Sequence, residues 1–185
     1  MKKKFATLII KKILCNASDN NLEKITQDFM HKSKADFSPQ ALANKLSYNP
    51  QFRNILYWRL RFENKKVRMW LKILSRIYKP VESIEILVGD NNIGGGFSIP
   101  HRYCTINAKQ IGDNCSIMQG VTIGAYGDGA PIIGNNVKIF PNAVVVGDIT
   151  ISDNVWIGAG TFVDFNVPSN STVKLSNKAV IAKRI

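Results

Sequence analysis

The sequence predicts an α+β protein in which a small basic helical domain precedes a parallel β-helix with one extruded loop. Three observations predict this fold. Aliphatic residues recur every six positions in the second half of the chain, apolar residues follow helical spacing in the first half, and glycine and β-branched residues become frequent where that spacing ends. We expect the helical domain to cover residues 1–80 and the β-helix, with a C-terminal capping tail, to cover residues 81–185.

Five amphipathic segments account for the predicted helical domain. Their apolar residues follow helical spacing, and Ser18 or Asp19 can cap the second helix. Ser38-Pro39-Gln40 begins the third, and Asn49-Pro50 opens the fourth. Pro80 ends the last helix because proline lacks a backbone donor. The predicted helices cover residues 5–15, 16–36, 38–46, 50–62 and 65–78.

The whole net charge of +12 comes from this first domain. Residues 1–80 hold 18 Lys and Arg against 5 Asp and Glu, whereas residues 81–185 hold 7 against 8. Such a domain suits an anionic membrane surface or an acidic partner, or simply presents a solvated basic face. No nucleic-acid-binding motif accompanies the charge, so we expect no nucleic-acid partner. Packing of the basic helices against each other or against a neighbouring subunit is favoured over a membrane contact.

The cysteines and the N-terminus indicate the compartment. Cys15, Cys104 and Cys115 are odd in number and lack paired spacing, so neither a disulfide framework nor a structural zinc site is expected. The opening MKKKFATLIIKKIL has too short an apolar run for a signal-peptide core or a membrane span. We predict a cytoplasmic protein, with peripheral contact to the inner membrane face as an additional option.

The repeat has a period of six, which is typical of a parallel β-helix whose coils are triangular. Each hexad supplies one face and one corner, an aliphatic side chain points inward, and glycine, asparagine or aspartate suits the corner. The stretch GAYGDGAP interrupts the count and therefore bulges outward as a loop. The predicted inward positions are Ile93, Ile99, Thr105, Ile111, Ile117, Ile123, Ile133, Ile139, Val145, Ile151, Ile157 and Val163.

His101 is the single histidine of the repeat region. It stands two places after the inward Ile99, so its side chain is expected outside the prism, where an imidazole can act as a general base. A metal-dependent β-helix enzyme needs about three histidine ligands, and a chain whose other histidine is His31 does not supply them. We therefore expect no metal.

From Asn49 to the end, the sequence resembles the serine acetyltransferase-like branch of the hexapeptide acyltransferases. The resemblance is strongest over IPHRYCTINAKQIGDNCSIMQGVTIG and PIIGNNVKIFPNAVVVGDITISDNVWIGAG. It implies a left-handed β-helix, a homotrimer and transfer of an acetyl group from acetyl-CoA to a hydroxyl. It also implies that His101 is the catalytic base and that an acid one coil earlier orients it. Glu85 is the nearest candidate for that acid, and Asp90 is the second.

The same resemblance implies a groove between neighbouring chains that holds the pantetheine arm of acetyl-CoA. Small residues along the groove let an extended ligand approach the backbone, although corners also need small residues for their own geometry. Lys178 or Lys183 is placed to meet a phosphate of the adenine end. The expected cofactor contacts are Gly124, Ala143, Ala159, Gly160 and Lys178.

The sequence departs from the serine-specific pattern at three places. Pro100 replaces an Asp before the histidine, Gly129-Ala130 replace an Arg-His pair in the loop, and SNKAVIA replaces GNPAKII in the tail. The first two differences resemble members associated with surface-polysaccharide synthesis, so a sugar or polysaccharide precursor is the predicted acceptor. The third concerns the part of the chain expected to bind the adenine end of CoA. Serine O-acetylation in cysteine biosynthesis is the enzymatic alternative, and a non-catalytic trimeric scaffold is the second alternative.

Overall fold

The computed structural model describes residues 2–31, 33, 35–127 and 129–175, in which five helices precede twelve short strands. The helices fall where the sequence predicts them. Their ends differ from the prediction by up to three residues, except that the second helix ends six residues earlier than predicted. Their bounds are α1 (Lys2–Leu14), α2 (Asp19–Met30), α3 (Pro39–Tyr48), α4 (Pro50–Leu60) and α5 (Lys65–Ile77).

Side-chain caps explain where three of these helices begin. The Ser38 hydroxyl accepts a hydrogen bond from Ala41 N at the start of α3. Asn49 Oδ1 accepts from Phe52 N at the start of α4, and Asn64 Oδ1 accepts from the first amides of α5. Each cap satisfies amides that have no partner within the helix. The helices pack with α1 against both α3 and α5, around a core of apolar side chains.

The strands form a parallel β-helix with three faces, each hydrogen-bonded from coil to coil. Ile93 pairs with Ile111, eighteen residues later, as expected for one triangular coil. The first face consists of β1 (Ile84–Ile86), β2 (Cys104–Ile106), β5 (Thr122–Gly124), β8 (Val144–Val146) and β11 (Phe162–Val163). The second consists of β3 (Gln110–Ile111), β6 (Ile132–Ile133) and β9 (Thr150–Ile151). The third consists of β4 (Ser116–Ile117), β7 (Lys138–Ile139), β10 (Trp156–Ile157) and β12 (Thr172–Val173).

The predicted loop lies between β5 and β6. Ile111 pairs with Ile133, which lengthens this coil from eighteen to twenty-two residues. The extra residues leave the prism after Gly124 and return at Pro131, and Tyr126 bridges to Gly129 within the loop. The loop therefore projects from the edge between the first and second faces.

Eleven of the twelve predicted inward side chains are buried in the prism core, and the prediction for Thr105 is wrong. Thr105 is half-buried and faces outward, whereas Cys104 and Ile106 on either side of it are buried. The strand register explains this, because Thr105 pairs with Thr122 and Ile106 pairs with the inward Ile123.

The cause is one extra residue in the corner that leads into β2. Seven positions separate Ile99 from Ile106, whereas six separate the corresponding Ile117 and Ile123. Tyr103 takes the left-handed conformation at this corner with φ 64°, as Gly120 does in the next coil with φ 69°. The corner that contains His101 is thus one residue longer than the corner stacked on it.

Side chains of α4 and of Arg61, which directly follows it, cover the open end of the β-helix. β1 is the edge strand of its face, so its outer carbonyl groups have no earlier coil to pair with. Trp58 Nε1 donates to Val88 O at 3.1 Å, and Arg61 donates to Ile86 O and Val88 O. Asn54 Nδ2 donates to Val81 O and Ile84 O. The helix thereby replaces a missing coil.

Two apolar clusters are present, one in the helical region and one along the prism axis. Because Ile55 and Trp58 of α4 belong to the prism cluster, the predicted domain boundary near residue 80 stays a prediction. Among the described residues, no helix has the length and apolar character needed to cross a membrane.

Candidate functional site

His101 lies on the lengthened corner between the third face of the first coil and the first face of the second. Its side chain is exposed, and no described residue forms a hydrogen bond or ion pair with it. It follows Pro100 and precedes Arg102 and Tyr103, both also exposed. An imidazole in this position is open to a ligand approaching along the outside of the prism.

Two of the predicted cofactor contacts lie on the same edge of the prism as His101. We call this the histidine edge; its stacked corners are Pro100–Tyr103, Met118–Gly120, Phe140–Asn142 and Gly158–Gly160. Backbone hydrogen bonds join successive corners, since Asn142 N donates to Gln119 O and Gly160 N donates to Pro141 O. Ala159 and Gly160 are exposed there, three coils from His101, which at the usual coil spacing is about 14 Å.

The other predicted cofactor contacts are placed differently. Ala143 directly follows the histidine edge but is fully buried, and its backbone N–H and C=O are hydrogen-bonded to Phe140 O and Thr122 N. A ligand therefore cannot reach it within one chain. Gly124 ends β5 at the opposite end of the first face, where the extruded loop begins. Lys178, like its alternative Lys183, lies outside the described residues.

The two candidate acids do not contact His101 within one chain. Glu85 is exposed on β1 and pairs in register with Thr105, four residues beyond the histidine. Asp90 lies on the turn beyond β1, where Lys24 and Arg61 are its charged neighbours. A role for Glu85 in orienting the imidazole stays a prediction.

A buried ion pair fixes the segment that leads to His101, and the sequence analysis did not identify it. Arg59 of α4 donates to both carboxylate oxygens of Asp28 of α2, at 2.5 and 2.9 Å, and both side chains are 1% exposed. The same carboxylate accepts from Phe97 N, and Arg59 also donates to Ile93 O and Gly94 O. The glycine-rich stretch before the histidine is therefore held by two helices of the head.

Two clefts that contain cationic side chains flank the corner that carries His101. The first, of about 280 Å³, lies between the head and the first coil and ends at Pro100. Its cation is Lys45, whose Nζ donates to Phe29 O at 2.7 Å and lies over the rings of Phe29 and Phe52. Burial lowers the pKa of Lys45, against the opposing effect of Asp28.

The second cleft, of about 510 Å³, lies on the Arg102 side of the corner. It contains three cationic side chains and one carboxylate, drawn from three separate parts of the sequence. No periodicity in the sequence links these parts. Arg102, the basic residue next to His101, was the only feature of the sequence that could have indicated this cleft. The cleft is lined by Pro50, Arg53, Lys79, Pro80, Val81, Glu82, Ser83 and Arg102.

The two cysteines of the prism are buried. Cys104 directly follows this corner, and Cys115 lies in the prism interior, where burial raises the pKa of its thiol to about 11. Within the described ranges, no three His, Cys, Asp or Glu side chains come together in a way that could hold a metal ion.

Comparison with known proteins relates the chain to serine acetyltransferases, although no family model matches it. It is 37% identical over 108 residues to the serine acetyltransferase of Synechococcus elongatus, covering 55% of this chain and 44% of that protein. It is 40% identical over 115 residues to the serine acetyltransferase of Staphylococcus xylosus, covering 59% and 53%. The chain thus spans about half the length of the curated relatives it matches.

Solved structures confirm the fold. A serine acetyltransferase in complex with cysteine superposes with a TM-score of 0.62 at 19% identity, covering 96% of this chain and 71% of that one. The serine acetyltransferase of Neisseria gonorrhoeae superposes with a TM-score of 0.58 at 21% identity, covering 97% and 80%. Helices followed by a left-handed parallel β-helix, and a serine acetyltransferase-like sequence, are therefore confirmed.

The predicted sugar or polysaccharide acceptor is wrong. The relatives that share 37–40% identity with this chain are named serine acetyltransferases, and structural neighbours were solved with serine or cysteine. The prediction gave too much weight to Pro100 and to Gly129-Ala130, which are local differences in a repeat region otherwise like that of the serine enzymes.

Proposed function

We propose that this chain is an acyltransferase that moves the acetyl group of acetyl-CoA to the hydroxyl of serine, the acetylation step of cysteine biosynthesis. The observation that carries the proposal is His101, exposed on a lengthened corner of a serine acetyltransferase-like β-helix. It stands on the same edge as the side-chain-poor corner Ala159–Gly160.

His101 supplies the base that the reaction requires. A serine hydroxyl is a weak nucleophile, so the imidazole takes its proton as the oxygen attacks the thioester carbonyl. The tetrahedral intermediate then collapses, the carbon–sulfur bond breaks, and the imidazolium returns the proton to the departing thiolate of CoA. The products are O-acetylserine and CoA, and His101 is regenerated.

The histidine edge is the proposed track for the pantetheine arm. Gly158, Ala159 and Gly160 present almost no side chain there, which lets an extended ligand run close to the backbone. Lys178 remains the proposed partner of a phosphate at the adenine end.

A homotrimer is the proposed assembly. His101 precedes β2 and the loop follows β5, so the two lie at opposite ends of the first face within one chain. If the extruded loop covers His101, it must therefore be the loop of a neighbouring chain. That arrangement would also bring Gly124 of the neighbouring chain to the groove. Tyr126 of the loop, 78% exposed, and Phe162 of β11, 61% exposed, are suitable contact residues.

We also propose that the head contacts an anionic surface, such as the inner face of a membrane. Helices α1 and α5 pack together and contain no Asp or Glu, so their ten cations form one basic surface. Phe5, Leu8 and Met69 protrude from it, each more than half exposed. The cations of this basic surface are Lys2, Lys3, Lys4, Lys11, Lys12, Lys65, Lys66, Arg68, Lys72 and Arg76.

Thiol release from acetyl-CoA in the presence of L-serine tests the proposed reaction. We expect turnover by the wild type and a fall in kcat of roughly 100-fold or more in His101→Ala, since general bases contribute about that much. Gln110→Ala, an exposed change on the second face, should leave kcat unchanged. Light scattering on the same preparation should give three times the chain mass of 20.6 kDa.

Failure to bind CoA in calorimetry would overturn the enzymatic proposal and favour the scaffold. Turnover that survives in His101→Ala would overturn the role of the histidine, while turnover of another hydroxyl compound in place of serine would overturn the acceptor.

A further inference from the structure

The cleft on the Arg102 side of His101, which we call the charged cleft, carries charges that form no ion pair with any residue that the structure describes. Lys79 and Arg102 are exposed, and neither side chain has a hydrogen bond or ion pair with a described residue. Glu82 is exposed in the same cleft and is also unpaired within the described part of the chain. The cleft thus contains cationic and anionic side chains that do not form an ion pair with each other.

Arg53 gives the charged cleft a fixed cationic wall. Its guanidinium donates to Leu46 O at 2.7 Å, Lys79 O at 3.0 Å and Ser47 O at 3.3 Å. It also lies 5.4 Å from the ring centre of Tyr78. Held in this way, Arg53 contributes positive potential without the entropy cost of ordering a free side chain.

The position of Arg102 follows from the lengthened corner. The corner between Ile99 and Ile106 holds one more residue than the corner above it, and Arg102 stands within that extra length, directly after His101. A ligand group bound by Arg102 therefore lies at the same corner of the prism as the proposed base.

The charge pattern selects among possible acceptors. A neutral sugar has no group for either sign, and a phosphate matches the cations but is repelled by Glu82. An amino acid carries a carboxylate and an ammonium group on adjacent atoms, so it satisfies both signs. The extruded loop, residues 124–131, has no Lys, Arg or His that could bind a carboxylate instead.

The first cleft is a weaker candidate for the same task. Its Lys45 already donates to Phe29 O and Asp28 O and is enclosed by two aromatic rings. The Lys45 ammonium group is therefore already used in hydrogen bonds to the carbonyl groups at the end of α2.

We infer that the charged cleft is the amino-acid subsite of this protein, in which Arg102 and Lys79 bind the α-carboxylate of the acceptor and Glu82 binds its α-ammonium group. This rests on the proposed serine acetylation. Specificity for an amino-acid acceptor then depends on Arg102 of the lengthened corner and on Lys79 and Glu82 of the link between α5 and β1.

Acceptors that lack one charged group test each contact separately. The comparison uses L-serine, serinol, which has no carboxylate, and 3-hydroxypropionate, which has no ammonium group. In Arg102→Ala we expect KM for L-serine to rise roughly tenfold, as for a lost charge-assisted hydrogen bond, with kcat within about threefold of wild type. KM for serinol should not change, and Arg102→Lys should recover part of the loss.

The complementary variant is Glu82→Gln. This variant should raise KM for L-serine and for serinol, and it should leave KM for 3-hydroxypropionate unchanged. The matched control is Arg68→Ala, which removes an exposed cation of α5 that does not line the cleft.

The outcomes separate this inference from the proposed function. If serine is acetylated but Arg102→Ala and Glu82→Gln behave like Arg68→Ala, the subsite assignment is overturned and the reaction stands. The subsite assignment is also overturned if a variant raises KM equally for all three acceptors, because that would indicate a structural effect. If the wild type does not acetylate serine, both proposals fall.

Discussion

At the scale of single residues, Glu63 shows how one carboxylate organises a junction in the head. It lies between α4 and α5, and its Oε1 accepts hydrogen bonds from Ser18 Oγ at 2.6 Å, Asn21 Nδ2 at 2.8 Å and Ser18 N at 3.0 Å. Partial burial alone raises the pKa of Glu63, but these hydrogen bonds outweigh burial and hold its pKa below the usual value. The carboxylate thus secures the start of α2.

A lowered pKa has a definite consequence for stability. The unfolded chain takes up a proton on Glu63 at higher pH than the folded chain, so the stabilisation is present above the unfolded pKa of about 4.3 and is lost as pH falls through the folded pKa. We expect Glu63→Gln to lower the free energy of unfolding by about 1 kcal/mol at pH 7 and by less at pH 3. Urea titrations across that range would show this.

Glu85→Gln provides the control for Glu63, because Glu85 is an exposed glutamate with no hydrogen-bond partner among the described residues. Parallel pH profiles for the wild type and Glu63→Gln would contradict the prediction.

At the scale of secondary-structure elements, α4 determines whether the β-helix has a protected end. Its side chains bind carbonyl groups of the first coil, and Arg59 also pairs with Asp28 of α2. An open coil edge would otherwise expose unpaired backbone groups to other chains. The head is therefore part of the structural unit on which His101 is displayed.

Removing Arg59 should be costly, because it leaves Asp28 buried without its partner and strips two carbonyls of their donor. We expect Arg59→Met to lower the free energy of unfolding by about 3–5 kcal/mol, as for other broken buried pairs. Urea denaturation measures the loss. Arg68→Met, an exposed change on α5, is the matched control, and equal losses in the two variants would contradict the prediction.

At the scale of the whole molecule, most of the positive charge lies in a different part of the chain from His101. The head carries a large positive excess, while residues 81–185, which contain His101 and the histidine edge, are close to neutral. The basic surface of α1 and α5 faces away from the helical core, since all ten cations are exposed. A second copy of the same surface would be repelled, which favours an anionic partner.

Sedimentation with vesicles of phosphatidylcholine containing phosphatidylglycerol tests this surface. We expect binding at low salt that is lost at high salt, and a weakening of at least tenfold in a Lys11→Glu/Lys72→Glu variant, since each cation near such a surface contributes about 1 kcal/mol. Lys138→Glu/Lys174→Glu makes the same change in net charge on the prism. Equal binding by the two variants would show that the basic surface is not the contact.

The sequence alone determined the helices, the three-faced prism, the loop and the candidate base. These features depend on local rules: side chains three and four apart share a helix face, and side chains six apart share the interior of a triangular coil. His101 stood out because it is outward-facing and is the single histidine of the repeats. The predicted sugar acceptor is wrong, because it was based on local differences at Pro100 and Gly129-Ala130 and not on the wider similarity to serine acetyltransferases.

Only the tertiary structure decided the register at Thr105, the covering of the first coil by α4, the buried pair of Arg59 and Asp28, and the charged cleft. A fixed period cannot reveal one extra residue in a corner, because the corner absorbs it and stacking resumes at Ile106. The pair and the cleft join residues 31 and about 50 positions apart, and spacing along a chain carries no information about such convergence. It arises only when the head closes the open end of the prism.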